Sequence, residues 1–103
     1  MSKENAQESN ESPKPLFGLG QVVITPGAAD FCIQRELNAA EFVTRHVTGD
    51  FGDMDPEDLE ANRNAVKYGD RVFSSYTMEK GGKLWVITEW DRSATTILLP
   101  SEY

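Results

Sequence analysis

Apolar and polar positions alternate most clearly in the last third of the chain. Residues 83–90 and 95–99 are rich in β-branched and aromatic side chains, and the polar stretch Asp91-Arg92-Ser93 between them contains no glycine. Such side chains fit a pleated, half-buried surface, so the pattern predicts an antiparallel hairpin. Upstream, residues 72–78 make a further strand that turns through Glu79-Lys80-Gly81-Gly82. Residues 19–25 make another, with Val22 and Ile24 on one face and Gln21, Val23 and Thr25 on the other.

Between the first strand and this meander the period becomes helical. Thr25 and Pro26 supply a cap and a first helical position for a helix over roughly 27–36, with Ala28, Phe31 and Cys32 along one side. Asn38 and Glu41 match a capping box, and Leu37 and Phe42 a hydrophobic staple. Phe42, Val43, His46 and Val47 then form a buried stripe that Gly49 ends. Asp55, Pro56, Glu57 and Asp58 repeat the start signal, with Met54 and Leu59 as staple and Gly69 as stop.

The predicted order is β-α-α-α-β-β-β. It gives a single α+β domain over residues 15–103, with three short helices packed on one face of a mainly antiparallel sheet. The pattern leaves open where strand one joins the meander. An edge at 95–99 is the expected place for two copies of the chain to pair. Residues 1–14 carry Lys, Glu, Gln, Ser, Asn and Pro with no aromatic and only one methionine and one alanine, so a disordered polar tail is expected there.

Charge narrows the partners. Seventeen acidic against ten basic residues give a net charge of −7, which repels nucleic-acid backbones and anionic membranes and favours a basic protein cleft. A single cysteine excludes an internal disulfide, and no apolar run approaches the ~18 residues of a membrane span. With no basic-then-apolar N-terminal layout either, a cytoplasmic protein is expected.

The acids are not spread evenly. Asp50, Asp53, Asp55, Glu57, Asp58 and Glu60 fall within eleven residues with no base among them. A calcium loop starting at Asp53 would need glycine at its sixth position and has Asp58 there, so no metal is expected. Asp55, Glu57 and Asp58 are explained by the dipole of the helix they open. Asp50, Asp53 and Glu60 are not. Six carboxylates over ~20 Å give about one charge per 3 Å, a density that approaches a phosphate strand.

The other candidates lie at the hairpin end. If the Trp85–Ile87 face is the core, Trp90 and Arg92 project outward as a pairing typical of interface hot spots. The plainer alternative is a cross-strand aromatic pair, made by Phe73 or Tyr76 with a tryptophan, and an Asp91–Arg92 turn salt bridge. Glu89 and Asp91 also form a potential pocket with Arg92. His46 fits a packing role on its stripe, and Cys32, between Phe31 and Ile33, fits a small core hydrophobe. One histidine and one cysteine suggest neither a zinc site nor a nucleophile–base pair, so no catalytic residue and no cofactor are expected.

Residues 19–28 (LGQVVITPGA), 46–53 (HVTGDFGD) and 85–103 (WVITEWDRSATTILLPSEY) resemble a small family labelled plasmid-related protein in bacterial mobile elements. The resemblance covers most of the chain from Leu16 onward, with departures at Trp90 and over 31–37. The family looks like one without an established activity, so the resemblance implies a context rather than a reaction. Small acidic proteins of plasmids and phages often act against host restriction or CRISPR systems, whose nucleic-acid channels are basic. The expectation is an inhibitor or nucleic-acid decoy that binds through Asp50, Asp53, Asp55, Glu57, Asp58 and Glu60, with Trp90 and Arg92 as second contacts. The alternatives are a small ligand-binding domain or enzyme at Glu89, Asp91 and Arg92, and an accessory protein of plasmid maintenance.

Overall fold

Each helix starts where a side-chain oxygen can take an orphan backbone donor. In the computed structural model, which describes residues 14–103, Thr25 Oγ1 accepts from Ala28 N at 3.2 Å and opens α1 (Pro26–Gln34). Asn38 Oδ1 accepts from Ala40 N at 3.1 Å and opens α2 (Ala39–Val47). Its oxygen thus serves the second helical residue, and the expected reciprocal box with Glu41 is replaced by this single bond. Asp55 Oδ1 accepts from Asp58 N at 3.0 Å and opens α3 (Pro56–Tyr68), which Gly69 closes at φ 84°. The tail expected over 1–14 lies, apart from Lys14, outside the described residues.

Four strands complete the α+β fold: β1 (Gln21–Ile24), β2 (Val72–Thr77), β3 (Lys83–Thr88) and β4 (Ala94–Leu98). Their order across the sheet is β1-β4-β3-β2. β2, β3 and β4 form the antiparallel meander, and β1 lies parallel to β4, with Gln21 beside Ala94 and Ile24 beside Ile97. Segment 95–99 is therefore interior, which corrects its expected place as an edge. The reason is visible along β4: Thr95 and Ile97 are buried on one face and Leu98 on the other, as befits a central strand.

The helices cover the Leu84–Val86 face of β3, not the Trp85–Ile87 face. Ala28 and Cys32 of α1 and Phe42 and Val43 of α2 pack with Tyr76, Leu84, Val86 and Ile97, all but enclosed. Leu84 and Val86 are inaccessible, whereas Trp85 is half-buried on the outer face. There Phe73 and Trp85 meet at 4.8 Å between ring centroids, and Tyr103 adds an edge contact to Trp85 at 5.6 Å. The cross-strand aromatic pair thus exists, and it is the Phe73 version.

Loop 51–53 lies along the outer side of β2. Asp53 N donates to Ser75 O (2.7 Å) and Ser75 N to Phe51 O (3.1 Å), and Gly52 bridges Ser75 at φ 81°. A Cβ at Gly52 would overlap the Ser75 carbonyl and come within 2.7 Å of the Tyr76 ring. Gly52→Ala is therefore expected to cost about 3 kcal/mol, combining left-handed strain with loss of the docked loop. Urea unfolding would measure it, and an unchanged midpoint would mean that the loop does not need this close approach.

Candidate functional site

All six carboxylates of segment 50–60 are exposed, and three of them, Asp50, Asp53 and Asp55, are held in place by backbone N–H groups. Asp50 Oδ2 accepts from Arg45 Nε at 2.7 Å and Oδ1 from Gly52 N at 3.2 Å; the Arg45 bond leads in holding its carboxyl below the usual range. The Arg45 guanidinium lies 4.5 Å from the Tyr76 ring centre, and the Tyr76 hydroxyl donates to the Asp50 carbonyl at 2.7 Å. Burial pushes that phenol up to about 12, so it stays a donor. Asp53 Oδ2 accepts from Thr77 N at 3.0 Å, and Asp55 caps α3.

Glu60 pairs loosely with Arg63 at 3.3 Å. Glu57 and Asp58 stand on the first turn of α3, where the Asp55 charge leads in raising the Asp58 carboxyl above its usual value. Like charges at that spacing oppose one another's ionisation. The segment is thus a crowded acidic ridge on a fixed backbone. Asp50 and Asp53, which helix-dipole stabilisation leaves unexplained, hold the loop against β2. Among the described residues no group of three metal-ligating side chains gathers there or elsewhere.

Arg92 is not an outward contact. It adopts φ 60° at the tip of the β3–β4 loop and turns its guanidinium inward, onto the carbonyls of Ala65 (2.9 Å), Asp70 (2.5 Å) and Glu89 (3.1 Å). Its cation also lies 5.4 Å from the Phe17 ring centre. It serves the carbonyl end of α3, where positive charge is favoured. Asp91 accepts from Ser93 N at 3.1 Å instead of pairing with Arg92. The alternative pocket of Glu89, Asp91 and Arg92 is therefore not assembled, because the Asp91 carboxylate turns to its own loop and the Arg92 guanidinium to the α3 terminus.

Trp90 is 65% exposed beside them. It lies two residues from Arg92, which reaches the C-terminal end of α3, whereas the acidic ridge occupies the N-terminal end. Thirteen helical residues separate the two by roughly 20 Å, so they do not form one patch.

His46 is fully buried in a polar chain that sequence patterning did not reveal. Its Nδ1 lies 2.6 Å from Ser74 Oγ and its Nε2 2.9 Å from Thr88 Oγ1; Thr88 Oγ1 lies 2.7 Å from Thr95 Oγ1. Thr95 donates to the Leu19 carbonyl at 2.7 Å, so it accepts from Thr88. Thr88 has then used its only proton and accepts from His46 Nε2–H, while Ser74 donates to Nδ1. Burial, aided by the Arg92 charge, pushes His46 down to about 4, in keeping with this neutral tautomer. Cys32 is buried as a core residue, and burial raises its thiol. Neither group is placed to meet a substrate. The inward positions of Thr88 and Thr95, opposite each other in the hairpin, were the available sequence signal.

A second missed feature joins the chain's distant segments. In the 3-10 turn Pro100–Glu102, Glu102 Oε1 accepts from Thr25 Oγ1 (2.5 Å) and Leu99 N (2.9 Å), and Oε2 from Gly27 N (3.0 Å). A Cβ at Gly27 would sit 2.5 Å from that oxygen. The N-terminus of α1 is thus filled by an internal carboxylate.

No protein family, curated protein or solved structure matches this chain. Among the described residues no helix is long and apolar enough to cross a membrane.

Proposed function

We propose that this chain is a binding protein that presents the acidic ridge of segment 50–60 to a basic protein cleft, in the manner of a decoy for a nucleic-acid backbone. The observation that carries this reading is the fixing of the ridge: Asp50, Asp53 and Asp55 accept backbone N–H groups, so their charges are preorganised and lose little freedom on docking. The resemblance to plasmid-related proteins suggests where such a cleft occurs, in a restriction or CRISPR complex of the host cytoplasm. The role of inhibitor follows from occupancy of a nucleic-acid channel and needs no catalytic group.

The test uses the acids that hold neither the loop nor the helix cap. Glu57→Gln, Asp58→Asn and Glu60→Gln together remove three exposed charges while leaving Asp50, Asp53 and the Asp55 cap intact. The unaltered chain, used as bait in a lysate of its native host at low salt, is expected to retain a basic protein identified by mass spectrometry. The triple variant should retain at least tenfold less while still unfolding cooperatively, its melting temperature lowered by at most about 10 °C through the lost dipole stabilisation of Glu57 and Asp58, and high salt should release the protein from the unaltered chain. Equal capture by both chains, or capture indifferent to salt, would overturn the reading.

A further inference from the structure

β1 is an uncovered sheet edge. Its partner strand β4 takes one side: Gln21 N donates to Ser93 O and Thr25 N to Ile97 O, both at 3.0 Å. Backbone alternation then turns the N–H and C=O groups of Val22 and Ile24 to the free side. The opposite sheet edge, β2, is bridged by loop 51–53, so the two edges are treated differently. Val22, Val23 and Ile24 are 46%, 39% and 39% exposed, and apart from the shortness of the strand, four residues, no charge, proline or bulge protects the edge among them.

The side chains make a surface as well as an edge. Val22 and Ile24 share the helix-covered face with Thr95 and Ile97, their respective neighbours across the parallel register. With Ala39, Ala40 and Val43 of α2 they line an apolar groove of about 390 Å³ that contains no charged residue. In a chain of net charge −7, a contiguous neutral patch is the surface on which a second −7 chain meets least repulsion. Residues 1–13 offer too few apolar side chains to fill it. A basic peptide would find no carboxylate in the groove.

We propose that β1 pairs antiparallel with β1 of a second copy about a two-fold axis at Val23. In that register Val22 faces Ile24 of the partner copy as a hydrogen-bonded pair, twice over, and Val23 faces its own equivalent as a non-hydrogen-bonded pair. The four free backbone groups are satisfied, both apolar grooves close, and the two sheets become one of eight strands. Its outer edges are the two β2 strands, each already bridged by loop 51–53. The acidic ridges stand at these far ends, so the dimer is independent of the proposed docking surface.

Sedimentation equilibrium of the full chain up to about 0.5 mM is expected to show a dimer, since even a Kd of ~1 mM corresponds to only about 4 kcal/mol. Added salt should tighten it by screening two like-charged chains, the opposite of its effect on docking through the ridge. Val23→Lys sets two cations face to face and should weaken the dimer at least tenfold. Val22→Pro removes only an outward N–H and should do the same, with far-ultraviolet circular dichroism reporting that each monomer stays folded. Val23→Cys should cross-link to itself under mild oxidation, because non-hydrogen-bonded antiparallel pairs bring Cα atoms to ~4.5 Å. A folded monomer at all concentrations, a dimer that survives both substitutions, or an edge that instead captures a different polypeptide would each overturn the proposal.

Discussion

Lowering the pH from about 6.5 to 4 is expected to remove about 3 kcal/mol of folding stability through His46 alone. The folded chain holds this imidazole neutral, with its pKa pushed down to about 4 from an ordinary 6.5. The unfolded chain therefore binds one more proton than the folded chain between those values, and stability falls as pH falls. The contribution is complete above pH 6.5, declines through the interval and is flat below about 4. A shift of roughly 2.5 units at ~1.4 kcal/mol per unit gives the magnitude. Asp50, Asp91 and Glu102, whose carboxyls are depressed by their hydrogen bonds, act in a lower window, as they protonate below the ordinary carboxylate range. Urea unfolding at about pH 7, 5.5, 4 and 2.5 would resolve the two windows. His46→Gln, whose amide can accept from Ser74 and donate to Thr88, should abolish the slope above pH 4 whatever it does to stability at pH 7. A slope that persists in this variant would assign the effect elsewhere.

Arg92→Ala is expected to cost about 3 kcal/mol, and Arg92→Gly about 1 kcal/mol less. Both remove the guanidinium from the Ala65, Asp70 and Glu89 carbonyls and from the Phe17 ring. Losing charge-assisted bonds at partly buried carbonyls accounts for most of the cost. The difference between the variants comes from φ 60°, which alanine tolerates poorly and glycine freely. Thermal unfolding of the three chains checks both the size and the order. If alanine and glycine are equivalent, the left-handed conformation contributes nothing. If both are neutral, the side chain is an ornament of the loop and Arg92 is again free to be a surface contact.

The local signals in the sequence proved reliable because they act over a few residues. Thr25, Asp55 and Gly69 bound their helices as expected, the antiparallel meander follows the alternation of residues 72–99, and Cys32 and His46 are packed inside. What patterning could not show depends on partners far away in the chain. The alternation of β1 is compatible with either edge of the meander or with an interior place, and only the observed register puts it beside β4. Arg92 looked exposed because its neighbours are polar, yet it reaches carbonyls 22 and 27 positions away. Asp50 and Asp53 looked like surplus charge for the same reason: their amide partners lie in a tight loop and in β2. The six acids were correctly seen as an exposed cluster, but their unequal structural duties were not legible.

The pairing of Thr25 with Glu102, 77 positions apart, sets a timetable for the nascent chain. At about 5–20 residues per second, on the order of 4–15 s pass between the synthesis of β1 and that of the carboxylate at the start of α1. Helices form in microseconds or less, so the helical segments can sample their structure long before the sheet can close. For most of that interval, until residues 94–98 are made, Val22, Val23 and Ile24 lack β4 and are open on both sides of the strand. The ribosome therefore holds out an apolar, β-prone segment for seconds, which makes β1 the natural landing point for a chaperone and the first site at which crowded synthesis would go astray.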